Sequence, residues 1–396
     1  MGGDSGAYLI EPMPGAALMP SPAPWDRFAA WPRLRALAAL VALVMMLAAS
    51  AFVPLTVGKG EVAKPAHLSL VGAPGKQAER PRDDDLQLYD RAIARIRHGE
   101  SYYDFIAQEH RRAHYPLRPG LAVRLPTLAY LCAAMGVDGE ALAPLAIAAS
   151  IALMLAVIWA WRQRLTEEAC SDSQRLFGTA LIFLGASLGL NRYYFVLHEL
   201  WAGMLIALSL GLHRPARSRW LGAWLAAALA LSIRELVLPY VLLMGAMALW
   251  RGNRREALAW GGLVVVFLCA IAVHLHLIAQ LTLPTDPTGP SWFALRGLGG
   301  WLSNVVLASN LRFLPHWIAG PIVIAMMLGW TGWRSEAGAT ATLLFLGYGL
   351  LFMIAGRDDN FYWGAVIAPA MFVGLAFAPM ALQGIWKAVW TGREGV

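Results

Sequence analysis

From residue 141 almost to its end, the chain is a succession of apolar runs divided by short polar breaks. Their approximate limits are 141–161, 176–191, 195–212, 219–233, 236–250, 257–278, 313–333, 338–356 and 362–386, and an earlier run covers 34–57. A bilayer's hydrocarbon core of ~30 Å takes about 20 helical residues to cross, and inside it every backbone polar group must be satisfied within the segment. The runs therefore predict helices, although several fall short of an upright crossing. Composition agrees, because 58% of residues are hydrophobic and 14% charged, against roughly 25% charged in a soluble domain. The expected class is an all-α polytopic membrane protein with about ten transmembrane helices. A net charge of +7 reads as topology, with excess Lys and Arg in cytoplasmic loops, and no nucleic-acid partner is expected.

Loop charge orients these spans. Residues 162–175, 213–219, 250–256 and 333–336, together with both tails, hold nearly all the basic residues outside the long first loop. The alternate set carries one or two arginines each, at Asn191–Arg192, Arg234, 284–300 and Arg357. The positive-inside rule makes the first set cytoplasmic, which puts both termini inside. Residues 1–33 read as a cytoplasmic tail without periodicity, and 34–396 as one transmembrane domain. The run at 34–57 is flanked by Arg27, Arg33 and Arg35 and reads as an uncleaved anchor, despite the Ala49-Ser50-Ala51 triplet. A long extracytoplasmic loop, 58–140, follows it. Within that loop LAVRLPTLAYLCAAMG, 121–136, would invert every later loop if it crossed, so it is expected to be re-entrant. Cys132, Cys170 and Cys269 form no disulfide framework or metal motif. No nucleotide-binding glycine pattern is present.

Ionisable residues at span ends mark functional sites by default. In this parse they gather on one side: Asp83, Asp84 and Asp85; Asn191, Arg192, His198 and Glu199; Arg234 and Glu235; Arg312 and His316; Arg357, Asp358, Asp359 and Asn360. That asymmetry predicts a single outward-facing polar cavity. Each cluster also has a structural reading. His198, Glu199, Arg234 and Glu235 would serve equally as ion pairs within the bundle. Arg312 and His316, four apart, would share a helix face. RDDNFYWG, 357–364, would be a tight turn with interfacial aromatics, or a sugar-binding loop with Tyr362 or Trp363 stacking.

PRDDDLQLYDRA, 81–92, opens the first loop's helical pattern. Leu86, Tyr89, Ile93 and Ile96 recur at helical spacing and Gly99 closes the run, which predicts a short amphipathic helix on the membrane surface. Asp84, with Gln87 three residues on, would cap it. Capping employs one acid, or two, of the three.

An anchor helix leading into a long outer loop that opens with acids and an amphipathic helix resembles the GT-C superfamily of membrane glycosyltransferases. The resemblance rests on that topology and on about forty residues, including Asp85 and Tyr89 in DLQLY and the GESYY turn at Gly99–Tyr103. Members often continue Asp-Glu, whereas Leu86 follows Asp85 here, so Asp84 with Asp85 would supply the pair one position earlier. The resemblance implies inverting transfer of a sugar from a polyprenyl-phosphate-linked donor to a hydroxyl of a glycan, lipid or protein acceptor, outside the bacterial cytoplasmic membrane. It also implies Asp85, or Asp84, as general base. Arg234, Arg312 and Arg357 would stabilise the leaving phosphate, with Tyr89, His198, Glu199, Glu235, His316, Asp358, Asp359 and Asn360 as further substrate contacts. No cofactor is required on this reading; a divalent cation between DDD and RDDN is the open option. The rival functions are a lipid-linked glycan flippase or other transporter, and an O-antigen-type polymerase.

Overall fold

The computed structural model describes residues 26–57, 61–64, 82–168 and 171–391. Residues 1–25 and Cys170 lie outside the described residues. The described chain is helical apart from a two-residue hairpin, Thr56–Val57 against Glu61–Val62. Helix α1, Arg33–Phe52, packs on α12 and α15, His316–Gly332 and Ala378–Thr391. Three short helices follow: α2, Asp84–Arg97; α3, Tyr102–Arg112; and α4, Thr127–Ala134. The remaining bundle comprises α5, Pro144–Glu167; α6, Asp172–Ala186; α7, His198–Leu212; α8, Leu221–Ile233; α9, Leu238–Trp250; α10, Arg254–Leu281; α11, Gly297–Leu307; and α13, Glu336–Ile354, before a broken C-terminal segment.

Four of these helices, α1, α5, α10 and α13, are long and apolar enough to cross a membrane. The pair Ala368–Ala376 and Ala378–Trp390, bent by 50°, makes a fifth if it is one span. Six further apolar segments run 10–17 residues, short of the ~20 of an upright crossing. By length and composition the described residues thus carry four or five spanning helices, where the sequence led us to expect ten.

Two local expectations are also revised. The run at 362–386 is not one helix: a 3₁₀ stretch Asp358–Val366, α14 at Ala368–Met371 and a second 3₁₀ stretch Phe372–Ala376 precede α15. Pro369 and Pro379 lack the N–H that a continuous helix requires and stand at these breaks. Helix α11 lies at and beyond the end of the segment expected to be loop, with Trp301, Leu302, Val305 and Val306 buried. The expected amphipathic helix forms, with its apolar face against protein. Leu86, Leu88, Ala92 and Ile93 of α2 are buried, and the helix packs against α3 and α4. Gly99 ends it with φ +90°, as a C-terminal glycine would. The segment expected to be re-entrant forms one 3₁₀ turn, Gly120–Ala122, followed by α4.

The α2–α4 unit is fastened to the bundle by polar contacts. Buried His274 of α10 meets the Tyr103 hydroxyl through Nδ1 at 2.9 Å, and its Nε2 lies 3.1 Å from the Val123 carbonyl. Arg111 donates to both carboxylate oxygens of Asp286, at 2.8 and 2.9 Å. Elsewhere the bundle depends on backbones touching. Gly329 of α12 lies against the Gly374 carbonyl, leaving no room for a Cβ, while Gly347 of α13 faces open space.

Gly329→Val should therefore lower the melting temperature in detergent by the equivalent of roughly 1–3 kcal/mol of overpacking. Gly347→Ala should leave it unchanged or raise it by up to about 1 kcal/mol through helix propensity. Equal melting temperatures for Gly329→Val and wild type would contradict the close crossing.

Candidate active site

Helix α2 begins at Asp84, one residue earlier than a capping role for Asp84 requires. Asp83 occupies the N-cap position, and its side chain makes no capping hydrogen bond. Gln87 instead donates to the Arg82 carbonyl at 2.6 Å. Asp84 and Asp85 lie in the first turn, where the helix dipole favours acids. Capping therefore uses none of the three carboxylates.

All three aspartates line a cavity of about 760 Å³. Its wall combines Tyr89, Tyr102, Tyr115 and Arg124 from the first loop with His198 from α7, Arg312, and Arg357, Asp359 and Asn360 from the loop after α13. Asp83 and Asp84 are exposed, and Asp85 is half-buried. Burial raises the Asp85 carboxyl above its ordinary value, opposed by a hydrogen bond from Tyr115 and by the charge of Arg124. Glu199 and Asp359 add to the upward shift. Tyr115 reaches this position because α3 ends in a turn with His114 at φ 58° and the Tyr115 N–H bonded to the His110 carbonyl at 2.9 Å. Burial holds His110 down to about 4, so it is neutral in ordinary buffers.

Behind Asp85 a polar chain runs into the bundle. Arg124 Nε donates to the Tyr89 hydroxyl at 3.2 Å, and the Tyr102 hydroxyl donates to the Arg124 carbonyl at 2.8 Å. Burial pushes Tyr89 up to about 12, with Arg124 opposing, which keeps it a phenol. The His198 ring meets Tyr89 edge-on, with centroids 4.7 Å apart, and its buried Nδ1 has no protein partner. Glu199 Oε1 accepts from Arg234 Nε at 2.7 Å and lies 3.8 Å from an Arg124 terminal nitrogen. Arg234 also pairs with Glu235. Removing one member of such a buried set leaves an uncompensated charge and costs about 3–5 kcal/mol.

The other predicted residues divide. Arg312 donates to the Tyr194 hydroxyl at 2.9 Å on the cavity wall. It does not share a helix face with His316, since its 3₁₀ turn ends at Phe313 and His316 starts α12 after Pro315. His316 is not among the lining residues. Arg357 grips Asp359 through two 3.0 Å hydrogen bonds beside the cavity, and Asn360 Nδ2 lies 3.3 Å from the Tyr362 hydroxyl. The Asp358 carboxylate turns away, accepting from Thr56 at 2.9 Å and Arg296 at 3.0 Å. Glu199, Arg234 and Glu235 form the layer behind the wall. Among the described residues no cluster of three metal-ligating side chains occurs.

Sequence reasoning passed over Arg124 and Tyr115. Arg124 had a legible signal, a charge within the apolar run 121–136. Tyr115 had none, because only the turn after α3 aims it at Asp85. Comparison with protein-family models, with characterised proteins and with solved structures finds no match.

A raised carboxyl has a stability signature. Below the ordinary value of 3.8 Asp85 is protonated whether folded or unfolded, and no penalty applies. As pH rises from there through the raised folded value, the unfolded chain ionises first and the native state loses stability. Asp85→Asn should therefore melt progressively higher than wild type as pH rises above 3.8, the difference levelling off once pH passes the raised folded value. The two curves should converge at the acid end in scanning fluorimetry.

Proposed function

We propose that this protein is an integral membrane glycosyltransferase of GT-C type. It would transfer a sugar from a polyprenyl-phosphate carrier to an acceptor hydroxyl at the extracytoplasmic face, with about ten membrane crossings and both termini inside. The reading rests most heavily on one observation: the half-buried carboxyl of Asp85, raised by its surroundings, lines the same cavity as Arg124, Arg312 and Arg357. General-base catalysis is most efficient when the base's pKa lies near the working pH, and a raised carboxylate approaches that condition.

In this mechanism Asp85 takes the proton from the acceptor hydroxyl as its oxygen attacks the anomeric carbon from the face opposite the phosphate. The carbon–oxygen bond to phosphate breaks, the electron pair stays on the phosphate oxygen, and the anomeric configuration inverts. Arg312 carries the positive charge nearest in kind to the leaving phosphate's need, because Arg357 is already engaged by Asp359. Arg124 holds Tyr89 and screens Asp85 from Glu199. His198 Nδ1, buried and without a protein partner, suits a sugar hydroxyl that donates.

The test uses the purified protein in proteoliposomes with a panel of polyprenyl-phosphate-linked sugars, following release of the polyprenyl phosphate. Asp85→Asn should reduce turnover by about 10²–10⁴-fold, the usual contribution of a general base, while remaining inserted and monodisperse. Asp84→Asn should fall by less than about tenfold. For wild type, kcat/KM should climb with pH through the raised Asp85 pKa, because only the ionised carboxylate accepts the proton. Undiminished transfer by Asp85→Asn, Asp84→Asn and the double variant would remove the proposed base. Vectorial movement of an intact lipid-linked sugar without bond cleavage would identify a transporter instead.

A further inference from the structure

Residues 292–296, a non-helical segment before α11, are hydrogen-bonded to the chain that leaves the end of α13. Gly356 N–H donates to the Trp292 carbonyl at 2.7 Å, Ala294 N–H to the Ile354 carbonyl at 3.1 Å, and Arg296 N–H to the Met353 carbonyl at 2.8 Å. Phe293 pairs with Ala355 in an antiparallel bridge. Exposure alternates along residues 292–295. On one face Trp292 lines the cavity, while Arg296, where the backbone turns helical, is paired with Asp358. On the other, Phe293 is 84% and Leu295 89% exposed. Two large apolar side chains so fully bared beside a binding cavity call for an occupant.

The neighbouring helix supplies the argument for which one. Helix α13 is among those long and apolar enough to span a membrane. Its exposed Leu346, Leu350 and Ile354, spaced four apart, form a stripe that climbs to the end where residues 292–296 are pinned. Phe293 and Leu295 stand beside the end of that stripe. Immediately beyond come charged Arg357 and Asp359, the change from oil to polar surface expected at a headgroup layer.

We propose that the segment 292–296 lies at the headgroup boundary of the bilayer, with the Phe293 and Leu295 side chains reaching among lipid acyl chains. The cavity would then be separated from lipid by this segment alone, Trp292 on the inner side and Phe293 on the outer. The inference does not depend on the chemistry assigned to Asp85.

The experiment is depth-resolved quenching in phosphatidylcholine and phosphatidylglycerol vesicles. Cys170→Ser and Cys269→Ser remove the other thiols, Cys132 being buried. Phe293→Cys, Leu295→Cys and, as an exposed polar control, Asp104→Cys are then labelled with an environment-sensitive fluorophore. Lipids carrying a nitroxide high on the acyl chain should quench labels at 293 and 295 by at least about twofold and leave 104 nearly unchanged. That depth corresponds to insertion by ~5–10 Å into the headgroup and acyl boundary. Quenching at 293 and 295 no greater than at 104 overturns the proposal. So does a blue-shifted emission without nitroxide quenching that disappears on dilution of protein in lipid, which would mean a second copy covers the face. Neither readout uses enzymatic turnover, so failure of the transferase reading and failure of this one are separately visible.

Discussion

The buried carboxylate of Glu199 ties the first loop to the bundle beneath the cavity. It accepts from Arg234, at the end of α8, and is approached by Arg124, from the first loop. With Glu235 on Arg234 the set balances two positive against two negative charges. A lone charge in such surroundings would be expelled or neutralised, so each member can remain only because the others are there. The set joins chain segments separated by many residues in sequence and gives the cavity a floor of defined charge. Asp85, Tyr89 and His198 all take their surroundings from it.

The fold around that floor trades helix length for shape. Six of the apolar segments stop at 10–17 residues, and several of them end near the cavity. Glu199 lies in the first turn of α7, Arg234 closes α8, and Arg312 sits in the 3₁₀ turn that leads into α12. A helix end leaves backbone donors or acceptors open and lets polar side chains cluster, whereas a helix middle offers neither. Broken helices around a polar cavity are tolerated in apolar surroundings because the freed backbone groups face protein or water rather than lipid.

Legibility in the sequence differed by residue. The one-sided gathering of DDD, Arg312 and Arg357–Asn360 was readable from charge at the ends of apolar runs, and the structure brings these to one cavity apart from Asp358. His316 was read as a partner of Arg312 from spacing alone, and Pro315 breaks the helix that the spacing presumed. Asp84 looked like a cap from its residue type, yet the helix starts on it and the N-cap falls to Asp83. Arg124 was visible as a charge in an apolar run, but its partners were not.

By itself the sequence determined the helical class, the apolar segments and most of their limits to within a turn. Those follow from local physics: an apolar run must close its own backbone hydrogen bonds, and proline, glycine and charge mark where it stops. Only the tertiary structure decided which apolar segments reach spanning length without a break and that α2 buries its apolar face on protein. It alone decided that Asp358 turns to Arg296 while Asp359 faces the cavity, and that Tyr115 swings round to Asp85. Each of these depends on what approaches from elsewhere in the chain, a nonlocal property that neither hydropathy nor spacing encodes.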